Sequence, residues 1–246
     1  MATMPALKVV AEGWVTSFRY PHFVMQTQPT FEMPPPATIY GHICSAVGEI
    51  IDPRGLEFGY QFTSEASFDD LEHIRIWSGG NTGTFGINPF QRQLLFKPRL
   101  TLYLRAPDLE AMRRAFLSPR YVVVLGRSQD LFTYRPPEVV ELEPAERAYY
   151  EHTLLPFAWA GHARRGYVVT MPRYVDVHRR RQAEVGSYVV LHDRIVYPAS
   201  LEGRGGLGAN FASEPAQHWV DPTEPDHPRH EGLKRGVCFH TFVDTE

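Results

Sequence analysis

Gly13-Trp14-Val15-Thr16-Ser17-Phe18-Arg19-Tyr20-Pro21, followed after a short interval by Met33-Pro34-Pro35-Pro36-Ala37-Thr38-Ile39-Tyr40-Gly41, decides how the first half of the chain folds. Leu7 to Val15 is rich in apolar, β-favouring residues and reads as a first strand. Pro34 to Pro36 fix an extended segment, because each proline biases its predecessor away from the helical region. Thr38 offers an N-cap. From there to Ile51, Ile39, Ile43, Ala46, Val47 and Ile50 recur at three- and four-residue steps, which predicts a helix with one apolar face.

Working outward, Leu56 to Phe62 reads as a second strand. His73 to Trp77 and Thr84 to Phe96 flank the turn-forming run Ser78-Gly79-Gly80-Asn81-Thr82-Gly83, which predicts a protruding hairpin over about 73–96. Arg99 to Arg105 alternates leucines with Arg99, Thr101, Tyr103 and Arg105, a strand with one greasy face. Pro107 to Leu117 reads as a second helix, and the apolar run Tyr121 to Leu125 as a central strand. Strand, helix, strand, hairpin, strand, helix, strand is the split β-α-β order of an α+β, ferredoxin-like domain, an order shared with RNA-recognition folds. The acidic stretch 138–151 marks an expected boundary. It divides a ferredoxin-like region, 1–145, from a β-rich, loop-rich region, 146–246.

Composition narrows the function. The 246 residues are 43% hydrophobic with two distant cysteines, Cys44 and Cys238, which suits a reducing cytoplasm and provides no disulfide framework. No apolar run reaches membrane-spanning length, so no membrane partner is expected. Net charge is −3, yet residues 88–120 carry seven basic side chains against two acidic ones. Residues 161–194 carry seven against three, while 138–151 carry five acidic against one basic. Twenty-two of the 25 basic residues are arginine, whose planar fork suits phosphates and whose flat face stacks on bases. Basic surfaces for nucleic acid can therefore coexist with acidic ones for protein partners.

Motifs for other chemistry are weak. Gly203-Arg204-Gly205-Gly206-Leu207-Gly208 matches a dinucleotide-binding pattern but lacks a following helix. His218, His227, His230, Cys238 and His240 do not have the spacing of a common zinc module. No P-loop, nucleophile elbow or HExxH is present. Neither a metal nor a cofactor is expected. Gly126-Arg127-Ser128-Gln129-Asp130-Leu131 has two readings: backbone amides nesting a phosphate beside Arg127, or a plain turn in which Ser128 or Asp130 bonds the local backbone.

Three segments together resemble one family. Phe18-Arg19-Tyr20-Pro21 with Pro34 to Gly41, Arg92-Gln93-Leu94-Leu95-Phe96-Lys97-Pro98 leading into Leu102-Tyr103-Leu104, and Leu125-Gly126-Arg127-Ser128 with Asp130-Leu131 are similar to the CRISPR-associated protein 5 family, closest to its type I-B branch. The match covers about residues 7–145. The resemblance implies a non-catalytic subunit of a type I effector complex (Cascade) in antiviral defence. Such a subunit grips the 5′ handle of the CRISPR RNA, wedges a hairpin thumb against it, and touches the backbone and large subunits, with target DNA nearby through the complex. On that reading Arg19, Arg92, Lys97 and Arg127 hold phosphates, Ser128 adds a hydrogen bond, and Tyr20, His22 or Phe23 stacks on a handle base. The alternative is a metal-independent endoribonuclease that processes precursor RNA, as in the type I-C branch. His42, Tyr40 and Lys97 are chemically eligible for that, although the type I-C tyrosine, lysine and histidine set has no match here.

Overall fold

The computed structural model describes residues 2–23, 27–78, 84–161, 163, 165–179, 181–197 and 217–244. The architecture is α+β and mostly strand, with two α-helices among the described residues. The first strand, Met4–Gly13, runs through the middle of the main sheet. Arg99–Arg105 lies antiparallel on one side of it, with Leu7 opposite Leu104. Phe132–Tyr134 and Glu138–Ala145 lie antiparallel on the other. Glu57–Thr63 pairs with the far edge of Arg99–Arg105, Phe58 opposite Leu104.

Both faces of this central sheet are covered, so strands with alternating sequences are buried on both sides. Leu7, Val9 and Ala11 pack with Ile39, Ile43 and Phe116 of the helices. Met4 and Ala6 pack on the opposite face with Tyr103, Val140 and Val237. Each fully buried aliphatic side chain contributes about 1.5–3 kcal/mol. The polar face of Arg99–Arg105 is therefore covered at its middle. Tyr103 is buried and its hydroxyl donates to Asp221 at 2.9 Å, while Arg99 and Arg105 pair with Glu12 and Glu57.

The first helix is Pro36–Val47, with Pro36 inside its first turn and Pro35 as N-cap without a side-chain bond. Thr38 is thus inside the helix. Gly48, at φ 98°, ends it, and the Gly48 N–H reaches the Cys44 carbonyl at 2.8 Å. The second helix, Leu109–Leu117, is capped by Asp108, which accepts from the Ala111 N–H at 2.8 Å.

Tyr121 to Leu125 does not form the expected strand. Tyr121 and Val122 are exposed, and Val124 makes only an isolated bridge to Leu131. The place beside the first strand belongs to Phe132–Tyr134 and Glu138–Ala145. An apolar run marked burial, but its backbone bonds go to Phe132, Asp130 and side chains rather than along a ladder.

The hairpin is longer than expected. Ala66–Ser78 pairs with Thr84–Phe96 from Ala66 opposite Phe96 to Ser78 opposite Thr84. The glycines of its turn, 79–83, lie outside the described residues. Its base is tied to the entry segment: Val15 pairs with Phe96 and Gln28 runs parallel beside Arg92. Beyond residue 145 the main sheet continues. Thr153–Pro156, Gln182–Leu191 and Tyr167–Asp176 extend it past Glu57–Thr63. His218–Val220 extends it past Glu138–Ala145. The glycine run 203–208 lies outside the described residues.

Candidate nucleic-acid interface

Three of the arginines singled out from sequence converge. Arg19, Arg92 and Arg127 line one cleft of about 350 Å³ together with Ser17, Thr38 and Gly126. Each arrives on a different element: Arg19 on the two-residue strand Phe18–Arg19, Arg92 on the returning arm of the hairpin, Arg127 on the turn after Leu125.

Gly126 makes that turn possible. Its φ is 99°, and an added Cβ would collide with the Thr16 hydroxyl and the Ser17 carbonyl. Thr16 itself donates to the Leu125 carbonyl at 2.5 Å. The Arg127 amide of the turn is already used. The fully buried Asp130 carboxylate accepts from the Arg127 N–H at 2.9 Å, from the Ser17 N–H at 3.3 Å, and from the Arg127 guanidinium at 2.7 Å. Of the two readings of this segment, Asp130 bonding the local backbone is the one observed. Ser128 is exposed on the turn.

Two carboxylates set the guanidiniums. Asp130 holds one edge of Arg127, and Glu72 on the hairpin bridges Arg127 at 2.5 Å and Arg92 at 2.9 Å. Burial works against the charge of Arg127, but its bonds to Asp130 and Glu72 outweigh it and its pKa is raised. The Arg92 guanidinium lies over the Phe90 ring at 5.0 Å, and its terminal nitrogens, like the whole guanidinium of the exposed Arg19, have no hydrogen-bond partner among the described residues. With three cations against two carboxylates, the cleft retains one positive charge and spare donors for an anion.

The aromatic candidates form a cluster directly after Arg19. Tyr20 stacks on Phe31 at 3.7 Å between ring centroids, with His22 and Phe23 edge-on at 5.7 and 6.0 Å. Burial, then the nearby Glu32 carboxylate, raises the Tyr20 pKa. Phe23 is 47% exposed, and His22 is exposed beside it. Lys97 stands apart. It lines a second cleft of about 480 Å³ with Trp14, Glu65 and Arg99, and pairs with Glu65 at 3.0 Å.

The groups eligible for RNA cleavage are not brought together. His42 is buried between the Val124 carbonyl and the Tyr134 hydroxyl, each at 2.9 Å, and burial lowers its pKa to about 4. The Tyr40 hydroxyl donates to the Ile51 carbonyl. Among the C-terminal histidines, His240 faces the Leu154 carbonyl at 3.0 Å and His218 the Tyr150 hydroxyl at 2.9 Å. No group of three or more His, Cys, Asp or Glu among the described residues is arranged to hold a metal ion. Nor is any helix among them long and apolar enough to cross a membrane.

Sequence reading missed Glu72 and Trp14, and it named Asp130 as a turn residue bonding the backbone without its pairing to the Arg127 guanidinium. The Asp130 bond to Arg127 spans only three residues and was open to a sequence-level reading as a turn. The Glu72 bond spans 55 and left no local signal.

Fold and cleft together define a β-rich α+β protein with a guanidinium-lined cleft at the foot of a hairpin. No family model matches the chain, and no curated protein matches it. Solved structures do. A chain of a "CRISPR RNA-guided surveillance complex" superposes with a TM-score of 0.51 at 14% identity, covering 80% of this chain and 92% of that one. A chain of a type III-B Cmr-beta complex bound to cognate target RNA and AMPPnP gives 0.49 at 10% identity, covering 82% and 90%. A CRISPR protein from Archaeoglobus fulgidus gives 0.42 at 12% identity, covering 78% and 91%. The likeness to the surveillance-complex chain is one of fold.

Proposed function

We propose that this chain is an RNA-binding subunit of a CRISPR effector complex, acting by grip rather than turnover. The observation that carries the reading is the convergence of Arg19, Arg92 and Arg127 on one cleft, on a fold like that of the surveillance-complex chain. The finer reading follows the resemblance in sequence. The core is ferredoxin-like, with Phe132–Tyr134 and Glu138–Ala145 in the fourth-strand place and the hairpin as thumb. The subunit is of the CRISPR-associated protein 5 type, closest to type I-B. It caps the 5′ handle of the CRISPR RNA and contacts the backbone and large subunits in the cytoplasm.

Backbone phosphates bind Arg19, Arg92 and Arg127, and a splayed base reaches the Tyr20, His22 and Phe23 cluster. Anisotropy titrations of single-stranded repeat RNA at several salt concentrations test this. Arg19→Ala and Arg127→Ala are each expected to weaken binding and to reduce the salt slope by about 1. Unchanged affinity and slope in both variants would refute it. Sequencing of RNA that co-purifies with the complex is expected to return handle-bearing guides.

A further inference from the structure

We propose that the second cleft, at the foot of the hairpin, takes one unstacked base of single-stranded RNA, stacked on Trp14 and read at its edge by the Glu12 and Glu65 carboxylates. The inference deepens the RNA-binding reading above and rests on it.

Trp14 is 71% exposed although its backbone is held on several sides. The Gly13 N–H donates to the Pro98 carbonyl at 3.0 Å, the Lys97 N–H donates to the Trp14 carbonyl at 2.8 Å, and Val15 pairs with Phe96. A large flat ring on a fixed backbone loses little entropy when something stacks on it. Lys97, across from it, has a φ of 46°, in the left-handed region that side chains other than glycine enter at a cost. Its bond to the Trp14 carbonyl holds it there. The cleft, about 480 Å³, suits a small planar group.

The lining chooses the occupant. Lys97 pairs with Glu65 and Arg99 with Glu12, each at 3.0 Å, and Arg135 also takes Glu12 at 2.9 Å; the four charged side chains lining the cleft balance, and each cation there already has a carboxylate. Ionised carboxylates accept and never donate. They match the exocyclic amino group of cytosine, whereas uracil offers a single N3–H flanked by two carbonyls whose lone pairs repel a carboxylate. A protein anchor would sit among apolar neighbours, whereas Trp14 shares the cleft with Glu12, Ser64, Glu65, Lys97 and Arg99. Trp14 and the first cleft's Ser17 are three residues apart, so their Cα atoms lie no more than about 11 Å apart. One RNA strand can touch both clefts.

Anisotropy with labelled oligo(C) and oligo(U) decamers tests the proposal, since cytosine presents an amino group and an N3 acceptor where uracil presents a carbonyl and an N3–H. The intact protein is expected to prefer oligo(C). Trp14→Ala should weaken oligo(C) binding by roughly 5- to 150-fold, with the salt slope unchanged. Trp14→Phe should retain most of the affinity, and Glu12→Gln with Glu65→Gln should erase the preference for oligo(C). If Trp14→Ala binds oligo(C) normally while Arg19→Ala and Arg127→Ala do not, the base site is overturned and the RNA-binding reading stands. If the intact protein binds neither oligomer at low salt, both fall. Loss of association with other protein subunits in Trp14→Ala, with RNA affinity intact, would assign the cleft to a protein and overturn the proposal.

Discussion

Glu72 on the outgoing arm of the hairpin and Arg127 on the turn after Leu125 meet at 2.5 Å across 55 residues of chain. The other Glu72 oxygen takes Arg92 at 2.9 Å, so one carboxylate moors the hairpin to the turn and occupies donors that an anion would use. A bound phosphate competes with it directly. Glu72→Gln keeps the shape and removes the charge. We expect RNA affinity at low salt to rise on the order of tenfold, about 1.4 kcal/mol, and to become more salt-sensitive, as read by anisotropy. Weaker binding would mean that Glu72 is needed to orient the guanidiniums.

Gly126→Ala places a methyl group against the Thr16 hydroxyl and the Ser17 carbonyl at a φ of 99°. Strain and collision together should cost about 2 kcal/mol or more, seen as a lowered urea midpoint, with RNA binding lost as the Arg127 turn shifts. Gly232→Ala is the control. Its φ is 74°, but the added Cβ meets nothing within 4 Å, so only the backbone cost of about 1 kcal/mol is expected.

His42 and His240 are buried, and burial holds both at a pKa of about 4 against an ordinary 6.5. On acidification the unfolded chain takes up these protons first. Stability is therefore full above about pH 6.5 and falls as pH drops toward 4, with a slope approaching about 2.7 kcal/mol per pH unit for the two groups together. Urea unfolding between pH 7 and 4.5 checks this. A flat profile would show that the two imidazoles are not buried as neutral groups.

Asp221 is fully buried and accepts from Lys8 at 2.8 Å and from Tyr103 at 2.9 Å, while Glu224 takes Lys8 at 2.8 Å. Burial opposes the charge on Lys8 and on Asp221, yet their mutual bonds prevail, raising one pKa and lowering the other. Asp221→Ala leaves the buried ammonium with Glu224 as its one carboxylate and the Tyr103 hydroxyl without its acceptor, and should cost about 3 kcal/mol. Lys8→Met added to it should recover part of that, since the ammonium is then gone. No recovery in the double variant would refute the account.

Much of the first half was legible because its signals are local. Alternation placed Arg99–Arg105 at its observed bounds, and threefold and fourfold steps located the helix, which starts two residues earlier than Thr38 because Pro36 fits the first turn. Tyr121 to Leu125 misled because a run of apolar residues says nothing of whether a strand lies alongside to pair with. The strand Glu138–Ala145 was hidden by its glutamates: Val140 and Leu142 point inward while Glu141 and Glu143 face solvent, and the acidic count outweighed the alternation. At the candidate site the arginines could be named but not grouped. Lys97 and Arg92 are five residues apart and line different clefts, a separation set by the Lys97–Pro98 corner and invisible to spacing.

The placement of Met4–Gly13 in mid-sheet bears on how the protein comes off the ribosome. Met4–Gly13 is flanked by segments translated about a hundred or more residues later, and the Lys8 ammonium meets its carboxylates only when residues 221 and 224 emerge. Such non-local pairings slow folding, and a chain ending before residue 221 would leave the Lys8 ammonium without either carboxylate.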